Sequence, residues 1–133
     1  MDNKQIIALI KREVVPAIGC TEPAAVALCT AYATEALGVR PERIDVSLSA
    51  NMLKNAMGVG IPGTGMTGLP IAVALGALVG KSAYSLEVLR DVCPQAVAFA
   101  PVVHQAFSGR CHAREARSLV GRPIPLPKGG FPC

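Results

Sequence analysis

The segment Gly19-Cys20-Thr21-Glu22-Pro23 places a thiol where the sequence signals the start of a helix. Thr21 is able to cap, Glu22 suits the positive end of a helix dipole, and Pro23 fits a first turn. A cysteine at such an entrance lies beside unpaired backbone N–H groups, which favour its thiolate form. A thiolate is the ligand that a metal ion or an iron–sulfur cluster requires, although one cysteine alone holds no cluster. The competing role is a buried cysteine in a helix corner, with Glu22 serving only the dipole.

A second concentration of chemistry lies between Gly58 and Gly68, where five glycines surround Pro62. Such a stretch forms no regular helix; it predicts a loop with positive φ angles or a close approach to another group. It matches G-x-G-x-x-G twice. However, no strand leads directly into it, no acidic residue follows about 20 positions on, and no Lys-Ser/Thr pair closes it. Dinucleotide and P-loop readings therefore fail. What remains is a glycine-rich turn opening a helix, whose N–H groups suit an anion such as an amino acid's carboxylate, or else a purely structural turn. Just before it, a helical turn would put Asn51 and Asn55 on one face and leave Lys54 free to pair with a carboxylate; ordinary solvation is the alternative.

The remaining cysteines carry less information. Five cysteines without a secretion signal suggest thiols or metal ligands before disulfides, and no C-x-x-C pair occurs. Cys29 lies within an apolar helical stretch and reads as a small core residue. Cys93, Cys111 and Cys133 lack metal-ligand spacing, and His104 and His112 take no role.

The elements that must position these groups are mostly helical. Residues 3–17 place Ile6, Ile7, Leu9, Ile10, Val14 and Val15 at helical spacing, closed by Pro16 and Gly19. A second helix runs from the Cys20–Pro23 signature to about Leu37, stopped by Gly38. Residues 43–49 alternate polar and apolar as a half-buried strand. The glycine loop opens a small-residue helix from about Leu69 to Val79. Further helices are expected over Ala83–Val92 and from Gln95 toward Phe107.

Composition sets the boundaries. The chain has 133 residues, 51% hydrophobic and 4% aromatic with no Trp, so the core must be aliphatic. The longest apolar run, Leu69–Val79, is too short to span a bilayer. Met1–Lys4 leads into an amphipathic pattern, unlike a signal peptide, so a cytoplasmic protein without membrane attachment is expected. Residues 1–100 are electrically balanced; the net charge of +4 comes from Arg110, Arg114, Arg117, Arg122 and Lys128 against Glu115. Without aromatics or a recognition module, this excess does not indicate nucleic-acid binding. Five of the 11 prolines fall in residues 101–133, which suggests an extended or disordered tail.

Taken together, Glu13-Val-Val-Pro-Ala-Ile-Gly-Cys-Thr-Glu-Pro23, the run from Ser49 through the glycine loop to Pro70, and Ala72–Gly80 resemble the N-terminal region of the L-cysteine desulfidase family. That family is related to the alpha subunits of iron–sulfur L-serine dehydratases. The resemblance covers about residues 5–97, and several motifs in the same order make it more specific than any one alone. It implies a lyase that degrades L-cysteine to pyruvate, hydrogen sulfide and ammonia with a [4Fe-4S] cluster held by three cysteines. The open iron would act as a Lewis acid while a base, not identified here, removes the α-proton. By the same resemblance Cys20 is the first cluster ligand, and Asn51, Lys54, Asn55, Gly63, Thr64 and Gly65 line the site of a small amino-acid substrate. The complete family protein is open to homo-oligomerisation. Residues 98–133 depart from the family and are expected to be a divergent, truncated or out-of-frame ending. With one ligand of three, this chain is expected to be inactive alone. The fold expected is α+β, predominantly helical, with at least one strand at about residues 43–49 and a Gly-rich loop opening a helix. The rival functions are an L-serine dehydratase-type deaminase and a non-enzymatic helical module that binds an anion or a partner.

Overall fold

The computed structural model describes residues 2–41, 44–104 and 118–120, and the fold is predominantly helical α+β, as expected. The first helix, α1 (Asn3–Glu13), opens on a capping box in which Asp2 accepts from the Gln5 amide at 2.8 Å while the Gln5 side chain accepts from the Asp2 amide at 3.0 Å. It ends at Glu13, short of residue 17. None of it is buried, and Ile7 and Ile10 remain 53% exposed, so its apolar stripe contributes nothing to the core described below.

The second helix, α2 (Thr21–Leu37), starts one residue earlier than the capping signal suggested. Cys20 is the N-cap, and Thr21 is the first helical residue, its hydroxyl donating to Glu22 at 3.2 Å. Gly38 ends the helix in the left-handed conformation and donates to the Thr34 and Glu35 carbonyls. Cys29 is exposed, which corrects the expectation of a core residue. The helix is apolar on nearly all sides, so its periodicity names no inner face; Val26, Ala27, Thr30 and Ala31 go inward, whereas Cys29 and Tyr32 stay outside.

The expected strand shrinks to β1 (Ile44–Val46), because its only described partner, β4 (Ser118–Val120), is three residues long. The two run antiparallel, with Ile44 opposite Val120. Next, α3 (Ala50–Ala56) is capped by the Ser49 hydroxyl, which accepts from the Met52 amide at 3.2 Å. The glycine loop is a hairpin of two short strands, β2 (Gly60–Ile61) and β3 (Met66–Thr67), leading through Gly68 into α4 (Leu69–Leu78). Residues 83–92 form no α-helix: a 3-10 helix covers Ser82–Glu87, interrupted at Ser85 (φ 50°, ψ −125°). The last helix, α5 (Pro94–His104), begins one residue before the stretch expected from Gln95 toward Phe107. Cys93 is disulfide-bonded, contrary to the expectation of a thiol or metal ligand. The expectations for residues 105–117 and 121–133, Cys111, His112 and Cys133 among them, lie outside the described residues.

Helix α4 is hydrophobic on every side, and a helix of that kind has to be surrounded. Every residue from Ile71 to Leu78 is buried. One flank packs with Ala27 and Ala31 of α2, Ile61, Val88, Leu89, and Ala96 and Ala100 of α5; the other packs with Val26, Ile44 and Ala56.

The contact between α2 and α4 fixes their direction. A β-carbon on Gly76 would lie 2.5 Å from the Ala27 carbonyl oxygen, and one on Gly80 would lie 3.0 Å from the Ala31 β-carbon. The step of four from Ala27 to Ala31 in α2 is matched by a step of four in the same direction from Gly76 in α4 to Gly80 just past its end, so the two run parallel. Their N-termini therefore share one end of the molecule and their C-termini the other.

Candidate functional site

The shared N-terminal end gathers most of the residues whose types suggested chemistry. Cys20 is an exposed free thiol at the head of α2, and its side chain makes no capping hydrogen bond. The preceding residue, Gly19, has φ +78°, and a β-carbon there would meet Pro62 Cγ at 2.6 Å. Only glycine satisfies both the backbone angle and the contact. Gly19 thus seats the entrance of α2 directly against the tip of the hairpin that leads into α4.

A polar link joins the same entrance to α3. Asn55 Nδ2 donates to Glu22 Oε1 at 3.4 Å, while Thr21 donates to the other carboxylate oxygen. Asn51 and Asn55 both lie in α3, as expected, and both are exposed. Lys54 is exposed as well, and among the described residues it forms no ion pair.

The hairpin is built to stand open. Gly63 (φ +75°) and Gly65 (φ +66°) take left-handed angles with empty space on their β-carbon sides. Thr64 holds the turn from within: its hydroxyl donates to the Ile61 carbonyl at 2.7 Å and accepts from the Met66 amide at 2.9 Å. Among the described residues, no acceptor engages the Gly63 and Gly65 amides. Turn amides left free in this way suit a bound anion.

Electrostatics favour the same end. Parallel helices add their dipoles, and the N-termini of α2 and α4 together present a positive field to whatever lies between them. The opposite end carries the matching cation. There the two C-termini line an open cavity of about 320 Å³ with Glu35 and Arg40. Burial holds the Arg40 guanidinium below its ordinary value. Glu35 lies below the usual carboxylate value, because the Ser82 hydroxyl and then the Ser82 amide donate to it.

The described residues do not complete a cluster site. No group of three or more His, Cys, Asp or Glu side chains among them is arranged to hold a metal ion. Cys20 and Cys29, the free thiols among the described residues, lie nine positions apart along the chain. No helix among the described residues is long and apolar enough to cross a membrane.

Two features escaped the sequence. The contact of Gly19 with Pro62 and the bond from Asn55 to Glu22 join residues 33 or more positions apart, and no local pattern encodes such a pairing. The nearest signal was a glycine directly before Cys20 and a lone proline inside a glycine run.

Comparison with known proteins gives relatives of most of the chain. The chain is 77% identical over 96 residues to a UPF0597 protein of Bacteroides fragilis, covering 72% of this chain and 22% of that protein. It is 77% identical over 97 residues to a UPF0597 protein of Phocaeicola vulgatus, covering 73% and 22%. A UPF0597 protein of Photobacterium profundum is 53% identical over 123 residues, covering 92% of this chain and 29% of its own length. That last match is too long to fit within residues 1–97. The chain therefore spans less than a third of the length of these curated relatives, and their shared name states no activity. No family model matches the chain, and no solved structure does.

Proposed function

We propose that this chain is the part of an iron–sulfur-dependent, cytoplasmic L-cysteine lyase that binds and orients the substrate's carboxylate. The observation that carries the reading is the meeting of two parallel helix N-termini, a hairpin with free Gly63 and Gly65 amides, and an exposed Cys20 at one end of the fold. The field and the amides favour an anion, and the adjoining thiol suits iron. Asn51 and Asn55 offer amide groups at the rim, and Lys54 offers a cation to a carboxylate. Cys20 supplies one cluster ligand. By the same resemblance the others come from a C-terminal part of the longer family protein that this chain does not span, so this chain by itself is expected to have no lyase activity. The resemblance of residues 5–97 to cysteine desulfidases supports the choice of L-cysteine over other small amino acids.

The test uses a complete relative such as the Bacteroides fragilis protein, purified without oxygen and reconstituted with iron and sulfide. Iron bound at about one cluster per chain, with pyruvate and sulfide released from L-cysteine, is the expected result. Replacing the cysteine that matches Cys20 by serine should abolish both. Turnover of L-serine in preference to L-cysteine would redirect the reading to a deaminase. An iron-free protein that binds simple carboxylates without converting them would replace it with a non-enzymatic module.

A further inference from the structure

Within that reading, on which this step rests, we infer that Glu22 is a positioning residue that ties α3 to the entrance of α2 and holds the carboxylate cradle in register with Cys20. The entrance is fixed at two points. On one side the packing of Gly19 against Pro62 holds the hairpin, and on the other the Glu22 carboxylate accepts from Asn55. Cys20 lies in the chain between the two anchors. α3 runs through Met57 and Gly58 into β2, so holding Asn55 also holds the strand that carries the hairpin. The first anchor prevents close approach and the second prevents separation. Neither alone fixes the distance between the thiol and the free amides. Glu22 is only half-buried, and its second oxygen is occupied by Thr21, which leaves the side chain a defined direction toward α3. Its charge also opposes the binding of an anion nearby. A carboxylate serving electrostatics alone would therefore weaken the site, whereas one serving position strengthens it. The two roles predict opposite signs.

The experiment uses this chain and needs no iron. Cys20 is alkylated with iodoacetate, which carries a carboxylate, and with neutral iodoacetamide, each rate being read by peptide mass spectrometry. The exposed Cys29 on the same helix is the internal reference. The iodoacetate-to-iodoacetamide ratio at Cys20 should exceed that at Cys29 by about fivefold, as an anion favoured at helix N-termini requires. Glu22→Ala should lower the Cys20 ratio by about threefold, the effect of one hydrogen bond. Glu22→Gln keeps an acceptor for Asn55 and removes the charge, so it should leave the ratio at or above that of the unmodified chain. Asn55→Ala should reproduce the loss, and adding Glu22→Ala to it should cause no further fall. A ratio that rises or stays constant in Glu22→Ala, or falls equally in Glu22→Gln, overturns the positioning role while leaving the cradle intact. Equal ratios at Cys20 and Cys29 in the unmodified chain would remove the cradle itself, and the inference with it.

Discussion

Replacing Gly76 by alanine tests the parallel contact on which the site geometry depends. The added β-carbon would lie 2.5 Å from the Ala27 carbonyl oxygen, 2.9 Å from its Cα and 3.0 Å from its carbonyl carbon. All three are backbone atoms of a helix and have no rotamer to change. Relief requires α2 and α4 to separate by about 1 Å, which loosens contacts along Ala27, Ala31, Ala72 and Leu75, all of them buried. Overpacking of this kind costs about 3 kcal/mol. Alanine's better helix propensity returns about 1 kcal/mol. The net loss is about 2 kcal/mol, or about 8 °C in melting temperature for a domain of this size. Thermal and urea unfolding followed by far-ultraviolet circular dichroism would measure it. Gly60→Ala is the control, since nothing lies within 4 Å of its β-carbon position and its φ is not positive; it should shift stability by less than about 0.5 kcal/mol. Propensity and packing have opposite signs at Gly76. A variant as stable as the parent, or more stable, would refute the close approach and the alignment of N-termini derived from it.

Other expectations follow from the same geometry. Gly63→Ala and Gly65→Ala meet no atoms but force left-handed angles on alanine, so each should cost about 1 kcal/mol in unfolding experiments without any steric penalty. Cys20 and Cys29 should both react with a thiol reagent in the native chain, and Cys93 should not; protection of Cys29 would place that face of α2 inside. The bonds from Ser82 lower the Glu35 carboxyl below its ordinary 4.5, so their stabilisation is fully present above pH 4.5 and is lost as pH falls through the lowered value. In Ser82→Ala the parent's loss of stability below pH 4.5 should become shallower, which melting curves at stepped acid pH would show.

The legible part of the fold is the part dictated by local chemistry. Proline, glycine and polar caps marked the start of α2 and the stop at Gly38, and the glycines after Met57 announced a loop that the hairpin realises. The Cys20 signature and the Asn51–Asn55 helical turn were legible for the same reason. The position of Cys29 is not legible, because a helix apolar on all sides carries no rotational signal and its inner face is chosen by α4. The 3-10 segment carries a helical pattern in sequence, because Ser85 is compatible with a helix and nothing local shows its φ of 50°. The alternation over residues 43–49 outruns the strand, because β1 extends only as far as β4 reaches, and the partner lies some 70 residues on. The union of Gly19 with Pro62 and of Glu22 with Asn55 is tertiary, and sequence order alone gives no account of it.

The pairing of Ala27 with Gly76 also sets a rule for chain length. An α-helix turns 100° and rises 1.5 Å for every residue added. One residue inserted between Cys20 and Ala27 would therefore swing the thiol around its helix and lift it away from the glycine turn, while every buried contact beyond Ala27 stayed in place. The same insertion between Gly68 and Gly76 would displace the turn instead of the sulfur. A second insertion on the other side would restore the height of the two groups but not the directions they face, so these two short spans form a matched pair of rulers.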